Sequence, residues 1–373
     1  MRSIVALKIL LYDKATSAGS LIGVIAIVFL VGQQLAVLFG LFSYMSVLVD
    51  HSAADIWVCT KNTDNINATD TLPERYADRI NGLPIIAWAE PVLFGNATFI
   101  TRDGKAESLQ VVGLQPSSHA LWPWRFHEGG VQDMLQNEGM TLERLDLDIY
   151  GNPEIGDVFE VNDVRVRISA ITQSIKGFSG RMVFTNAVKA RDILNTAPGR
   201  CKAVAVKLQP GIPLEEGITN IRAVLPNTEI MSSAQLSART RIYYVKNTGM
   251  GGSFGFSTLI GALVGIIIIT LTMYTGVLQR QKDFAVLRAL GARKGDIFII
   301  VLCQSLIIAL AGIFIGFLLL GAFLNGTLDT SLPAYMPRQI APMLAFGTLV
   351  LCMLGSVLAV RKAISVEPAS VFR

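Results

Sequence analysis

Three histidines, four cysteines and one glycine-rich basic stretch are the residues of this 373-residue chain whose types could do chemistry. His51, His119 and His127 have no second His or Cys at metal-ligand spacing. His127-Glu128 reads as a surface pair, and Ser118-His119 stands outside any Gly-x-Ser-x-Gly elbow. Gly291-Ala292-Arg293-Lys294-Gly295 lacks the Gly-x-x-x-x-Gly-Lys-Ser/Thr spacing that cradles a phosphate. Catalysis by this chain alone is therefore not expected. Cys303 and Cys352 fall in apolar stretches and read as packing residues. Cys59 and Cys201 fall in the polar part, each beside an expected strand. An oxidising compartment would permit a Cys59–Cys201 disulfide; two buried free thiols are the alternative. The aromatic run Leu121-Trp122-Pro123-Trp124-Arg125-Phe126 reads as core packing before it reads as a partner or lipid contact.

The elements that would position these residues follow from the charges. Only 16% of residues are charged, and 51% are hydrophobic, against about 25% charged in an ordinary soluble domain. A disordered chain, a nucleic-acid-coating basic protein and a typical cytosolic enzyme are all poor fits, and no nucleic-acid partner is expected. Residues 50–246 carry 43 of the 60 charges. Elsewhere no charge occurs between Lys14 and Asp50, Lys246 and Arg280, Asp296 and Asp329, or Arg338 and Arg361. A spanning helix needs about 20 apolar residues, so each gap holds one. The first gap is 35 residues long, well beyond the roughly 7–15 of a signal-peptide core, and reads as a retained span.

The expected fold is a membrane protein, α-helical with four transmembrane helices, plus an α+β extracytoplasmic domain between helices 1 and 2. Its expected order is a cytoplasmic amphipathic segment (1–19), helix 1 with a stalk (20–49) and the extracytoplasmic domain (50–245). A second stalk and helix 2 (246–279), a cytoplasmic helix (280–297), helix 3 (298–324), an outer loop (325–339), helix 4 (340–360) and a cytoplasmic tail (361–373) follow. Eleven basic and four acidic residues flank the spans on the side of the termini and the 280–297 connection. By the positive-inside rule that side is cytoplasmic. Within the large domain, Val92–Ile100 and Glu107–Leu114 flank one hairpin turn, and Asp157–Val161 and Val164–Ile171 flank another at Asn162-Asp163. Strands are expected at Asp55–Thr60 and Ala203–Leu208, and helices at Pro73–Ile80, Ala187–Leu194 and Leu214–Leu225.

Between spans 2 and 3, Phe284, Leu287 and Leu290 form an apolar stripe. Lys282, Asp283 and Arg288 occupy the other faces, and Gly291 is a natural stop. Such a helix lies on lipid headgroups or docks into a groove on a cytoplasmic partner, and its physics favours neither. Small-residue spacing recurs at Gly19/Gly23, Gly251/Gly255, Gly261/Gly265 and Gly312/Gly316. Such pairs let helix backbones approach closely, and Gly261/Gly265 is the expected contact with a second copy. Gly249-Met250-Gly251-Gly252 would break a helix, either as a hinge or as a loop. No ionisable residue lies inside the spans, where a conducting path would place them; Gln33, Gln34, Thr270, Thr272, Gln304 and Ser305 are the most polar groups.

The stretch from Arg280 to Ile297 resembles the hallmark of FtsX-like permeases, the membrane subunits of MacB-type ABC transporters. The likeness is carried by Arg280, Phe284, Ala285, Leu287, Arg288, Ala289, Leu290, Gly291 and Ala292, with Asp283 where glutamate is usual. Ala359-Val360-Arg361-Lys362, Val366-Glu367-Pro368 and Val371-Phe372-Arg373 resemble the family's closing signature, while Gln304 stands where a glutamate is usual. The resemblance implies a permease dimer, of two identical copies or two paralogues, each copy seated on a separately encoded ABC ATPase. That ATPase would bind the ATP and magnesium, leaving no cofactor in this chain. It implies a coupling role for Arg280, Lys282, Asp283, Phe284, Leu287, Arg288, Leu290, Gly291, Arg293 and Lys294. It further implies a bacterial inner-membrane location, contact with membrane lipids, a periplasmic adaptor, and export or extraction of an amphiphilic, lipid-like or peptide substrate. Some relatives instead use the motion to control an extracytoplasmic enzyme.

Overall fold

A computed structural model describes residues 14–101, 104–136, 138–177, 181–279, 286, 291–328, 330 and 334–364. Along the chain come α1 (Lys14–Met45), the short α2 (Val47–Asp50), β1 (Ile56–Thr60), β2 (Leu72–Pro73), α3 (Arg75–Asn81), β3 (Ile86–Ile100) and β4 (Ala106–Leu114). Next are β5 (Phe126–Glu128), α4 (Val131–Met134), β6 (Gly139–Glu143), β7 (Val158–Val161), β8 (Val164–Thr172), β9 (Met182–Asn186) and α5 (Ala187–Ile193). Then follow β10 (Arg200–Cys201), β11 (Ala203–Leu208), α6 (Leu214–Val224), β12 (Thr228–Ser232), α7 (Ser233–Asn247), α8 (Met250–Gln279), α9 (Lys294–Gly326) and α10 (Ile340–Ile364). The chain divides into two compact units. One comprises residues 1–40, 252–328 and 332–373, the other residues 41–251 with 329–331.

The first unit is built on α1, α8, α9 and α10, each long and apolar enough to cross a membrane. Lipid surrounds such helices with a solvent as apolar as their side chains, so they associate through close packing rather than water exclusion. Valines and isoleucines of α1 supply the ridges and glycines of its neighbours the hollows. A Cβ added at Gly312 or Gly316 of α9 would lie 2.6 Å from Val24 or 2.7 Å from Val28. One added at Gly265 of α8 would lie 2.0 Å from Ile27, and Gly261 faces Val31 at 3.6 Å. This corrects the expectation for Gly265, whose hollow is filled by Ile27 of the same chain, whereas Gly261 is only partly buried and makes one ordinary contact with Val31. Two hydroxyls of the spans are buried with carbonyl partners. Ser305 Oγ donates to the Cys352 carbonyl at 3.2 Å, and Thr348 Oγ1 to the Leu344 carbonyl at 2.9 Å.

In the second unit ten strands form a sheet in the order β12-β1-β11-β3-β4-β9-β6-β8-β5, with β7 joining β8 to β3. The sheet thereby closes on itself through β3, β4, β9, β6, β8 and β7, at a seam made by the pair Phe99 and Val161. Long β3 serves two layers. Ile86–Val92 pairs with β11, and Leu93–Ile100 pairs with β4. β1 is buried on both faces, as its β-branched and aromatic sequence requires. Ile56 and Val58 join Ile80, Ile218 and Ile221 of α3 and α6 in one core, whereas Trp57 and Cys59 join Phe94 and Leu236 in another. A third core fills the closed part around Phe99, Tyr150 and Ile168. The β7–β8 hairpin turns on Asn162 and Asp163 with φ of 46° and 63°, the two positive values a type I′ turn demands.

Replacing Gly265 with Leu should lower the thermal unfolding temperature of the detergent-solubilised protein, corresponding to about 1–3 kcal/mol of overpacking. Ile27→Ala in the same chain should recover part of that loss, because the two side chains compete for one space. Equal stability of Gly265→Leu and wild type would remove this contact.

Candidate functional site at the stalk junction

Above α1 the chain is held by polar contacts. Asn65 caps a short 3-10 turn at Ile66–Ala68 by accepting the Asn67 amide proton at 3.0 Å. From this turn hydrogen bonds reach three elements. The Asn67 side-chain amide donates to the Met45 carbonyl at the end of α1 (2.8 Å), and its oxygen accepts from Gln110 Nε2 of β4 (3.0 Å). The Ile66 amide donates to Thr240 Oγ1 of α7 (3.2 Å), and Asn65 Nδ2 donates to the Tyr244 hydroxyl (3.0 Å). Burial raises the Tyr244 hydroxyl above its ordinary pKa, so it stays neutral.

A second set of contacts joins α2 to α7. Asp50 accepts from Ser46 Oγ (2.7 Å) and Arg241 (2.5 Å) on one oxygen, and from Ser237 Oγ (2.7 Å) on the other. Arg241 Nε donates to Ser46 Oγ at 2.8 Å, which closes the ring of contacts. The Asp50 and Arg241 side chains remain 31% and 40% exposed. The ion pair alone is therefore worth no more than about 1 kcal/mol, and the geometry matters more than the energy. The α7 start is fixed by a reciprocal Ser232–Gln235 cap. Its end is set at Gly249, whose φ of +72° a side chain would resist, before α8 begins at Met250. Thr248 and Gly249 thus separate two helices, while Met250, Gly251 and Gly252 begin α8, so of the run expected to break a helix only Gly249 does so.

Of the residues expected to couple to a partner, Arg280, Lys282, Asp283, Phe284, Leu287, Arg288 and Leu290 lie outside the described residues. Gly291 has φ +96°, and Arg293 stands at the N-cap of α9 with its amide donating to Asp296 Oδ2 at 2.9 Å. Lys294 opens α9. Cys59 and Cys201 are free and buried, so the disulfide expectation is corrected in favour of two thiols. They sit on β1 and β10 in separate cores. Trp122 and Trp124 pack against the core, with Trp122 Nε1 donating to the Ser118 carbonyl (2.8 Å) and Trp124 stacked on His51 at 3.9 Å. His127 and Glu128 are exposed. Among the described residues no group of three His, Cys, Asp or Glu side chains could hold a metal. Reasoning from sequence passed over Ser46, Asp50, Asn65, Asn67 and Gln110.

Burial pushes both thiols up to about 12 from 9.0. A proton held more tightly in the folded state stabilises it below pH 9, and that contribution is lost as pH rises from 9 to about 12. Iodoacetamide at pH 8 should leave Cys59 and Cys201 unmodified until denaturant is added, as read by peptide mass spectrometry. Rapid native alkylation, or a bridged peptide, would contradict two buried thiols.

Residues 15–224 match the MacB-like periplasmic core domain, and residues 255–368 match the FtsX-like permease C-terminal family. An uncharacterized ABC transporter permease of Methanocaldococcus jannaschii is 26% identical over 183 residues, 47% of this chain and 45% of that protein. The macrolide export ATP-binding/permease protein MacB of Shewanella sp. (strain ANA-3) is 25% identical over 329 residues, 83% of this chain and 48% of that protein. The chain therefore spans about half the length of these relatives. Among solved structures, the periplasmic region of MacB from Actinobacillus actinomycetemcomitans aligns over 50% of this chain and 92% of its own, with TM-score 0.37 and 11% identity. The extracellular domain of the transporter YknZ from Gram-positive bacteria aligns over 48% and 99%, with TM-score 0.37 and 9% identity. With the periplasmic-core match covering more than half of its length and the permease match most of the remainder, the chain belongs to the MacB-type, FtsX-like family of ABC transporter permeases.

Proposed function

We propose that the chain is the membrane subunit of an ABC transporter, converting ATP binding and hydrolysis by an ATPase into a change of shape in its extracytoplasmic domain. The output is export or extraction of an amphiphilic, lipid-like or peptide substrate. The observation that carries this reading is the junction at Asn65–Asn67 and Asp50–Arg241, which ties the end of α1 and helix α7 to each other and to the sheet. A helix displacement arriving at either connection reaches β4 through hydrogen bonds with defined donors and acceptors. The spans hold no ionisable residue between their flanking charges, which favours force transmission over passage of a polar solute through the bundle. The stretch from Arg280 to Lys294 is the seat for the ATPase, its basic side chains meeting an acidic rim and its apolar Phe284, Leu287 and Leu290 a groove.

Reconstitution with the ATPase in proteoliposomes tests the proposal. ATP-dependent release of a fluorescent lipopeptide supports transport. ATP-dependent activation of a bound hydrolase without release would favour the regulatory role known for some relatives. Absence of any ATPase binding would overturn both. Arg288→Glu and Lys282→Glu should each reduce stimulation of ATP hydrolysis by about tenfold, equivalent to ~1.4 kcal/mol of docking energy, with folding unchanged. Asp50→Ala should behave differently, keeping ATPase stimulation while release falls, because it breaks the link above the membrane. Parallel loss of both activities in Asp50→Ala would mean that the junction only supports folding.

A further inference from the structure

Within the membrane unit an apolar groove of ≈ 310 Å³ lies between α1, α8 and α10. Ile27, Val31, Leu35 and Phe39 line it at four-residue intervals along α1, and α10 faces them from Ile340 to Leu351. Thr348 is its polar exception, and that hydroxyl is already bonded to the Leu344 carbonyl. Twelve residues of α1 at about 1.5 Å each make the groove roughly 18 Å long. One leaflet of a bilayer whose core is about 30 Å thick has a hydrocarbon depth of roughly 15 Å. The groove thus runs the depth of one leaflet. It begins at Phe39 and Ile340, where the chain leaves the spans towards the large domain, and ends near the middle. Apart from Thr348, whose hydroxyl is already bonded, nothing polar lines it to hold water.

Residues 334–339 stand at its mouth. The Tyr335 amide donates to the Ala36 carbonyl of α1 at 2.9 Å, and the Ile340 amide to the Pro337 carbonyl at 2.9 Å. Tyr335 and Arg338 are both exposed there, and they are the residue types that settle at headgroup level. Gly347 leaves the floor open, since a Cβ added there would meet nothing within 4 Å.

We propose that this groove holds one acyl chain of a phospholipid from the leaflet on the large domain's side, with the lipid phosphate at Arg338. A methylene occupies about the ~30 Å³ of a water molecule, so the cavity takes roughly ten of them. A second copy of this chain fits less well. It would have to fill a narrow slot as deep as a leaflet with side chains rather than with a flexible chain. The proposal needs only that the spans lie in a bilayer, and it stands or falls independently of ATPase coupling.

Native mass spectrometry of the delipidated full chain in detergent, titrated with palmitoyl-oleoyl-phosphatidylglycerol, tests it. Wild type should retain one lipid per chain. Gly347→Leu, whose Cβ would meet nothing within 4 Å, should weaken retention by about tenfold at unchanged circular dichroism, matching the loss of roughly two methylene contacts. Arg338→Gln changes an exposed side chain and should abolish the preference for phosphatidylglycerol over phosphatidylcholine; it decides the matter even if Gly347→Leu fails to fold. Wild-type lipid retention in Gly347→Leu, or an unchanged headgroup preference in Arg338→Gln, would overturn the site. So would loss of self-association in Gly347→Leu with lipid retention intact, which would assign the groove to a second copy.

Discussion

The change of solvent along α1 governs how this protein is held together. In hydrocarbon, burying a valine against another helix gains nothing over burying it in lipid. What remains is contact distance, and the glycines at 265, 312 and 316 bring neighbouring backbones close enough for Ile27, Val24 and Val28 to be surrounded. At the end of this helix the logic is reversed. Around Met45 to Asp50 the contacts are amide to carbonyl, hydroxyl to carboxylate and guanidinium to carboxylate. Dispersion contacts tolerate small sliding, whereas a hydrogen bond weakens steeply as its angle falls. The helix therefore changes from a loosely registered contact to a tightly registered one at the point where movement would have to be transmitted.

The large domain is arranged to receive such a constraint. β1 and β11 are buried on both faces, so neither strand can shift without disturbing two cores at once. β3 extends the consequence, since its first half belongs to the ladder with β11 and its second half to the closed part of the sheet. Gln110, the junction's contact on β4, lies opposite Asn96 of that second half. Packed cores are poorly compressible, which favours movement of the domain as a body over local deformation.

Much of this architecture is legible in the sequence because it rests on local signals. Asn162-Asp163 tolerates two positive φ values and announces its hairpin, and the spacing of Leu214, Ile218 and Ile221 announces α6. Charge-free runs announce the membrane helices. By contrast β6, β9 and β12 are short segments with burial on both faces or mixed composition, so no alternation marks them. The parallel pairings of β4 with β9 and β6 with β8 depend on chain segments far apart. The junction is hidden for the same reason. Asn65 and Asn67 look like any polar loop residues, and Asn65 finds Tyr244 across 179 positions of sequence.

The small-residue pairs teach a narrower lesson. Glycines four apart on a spanning helix state that something comes close; they do not state what. Gly312 and Gly316 meet α1, and so does Gly265, because a four-helix unit whose first helix is central must seat that helix against three neighbours. Each hollow filled from within the chain is removed from the surface available to another molecule. The inference from spacing to partner therefore requires counting the internal ridges first. Here the ridge of α1, with branched side chains at Val24, Ile27 and Val28, accounts for three of the glycines before any second chain is considered.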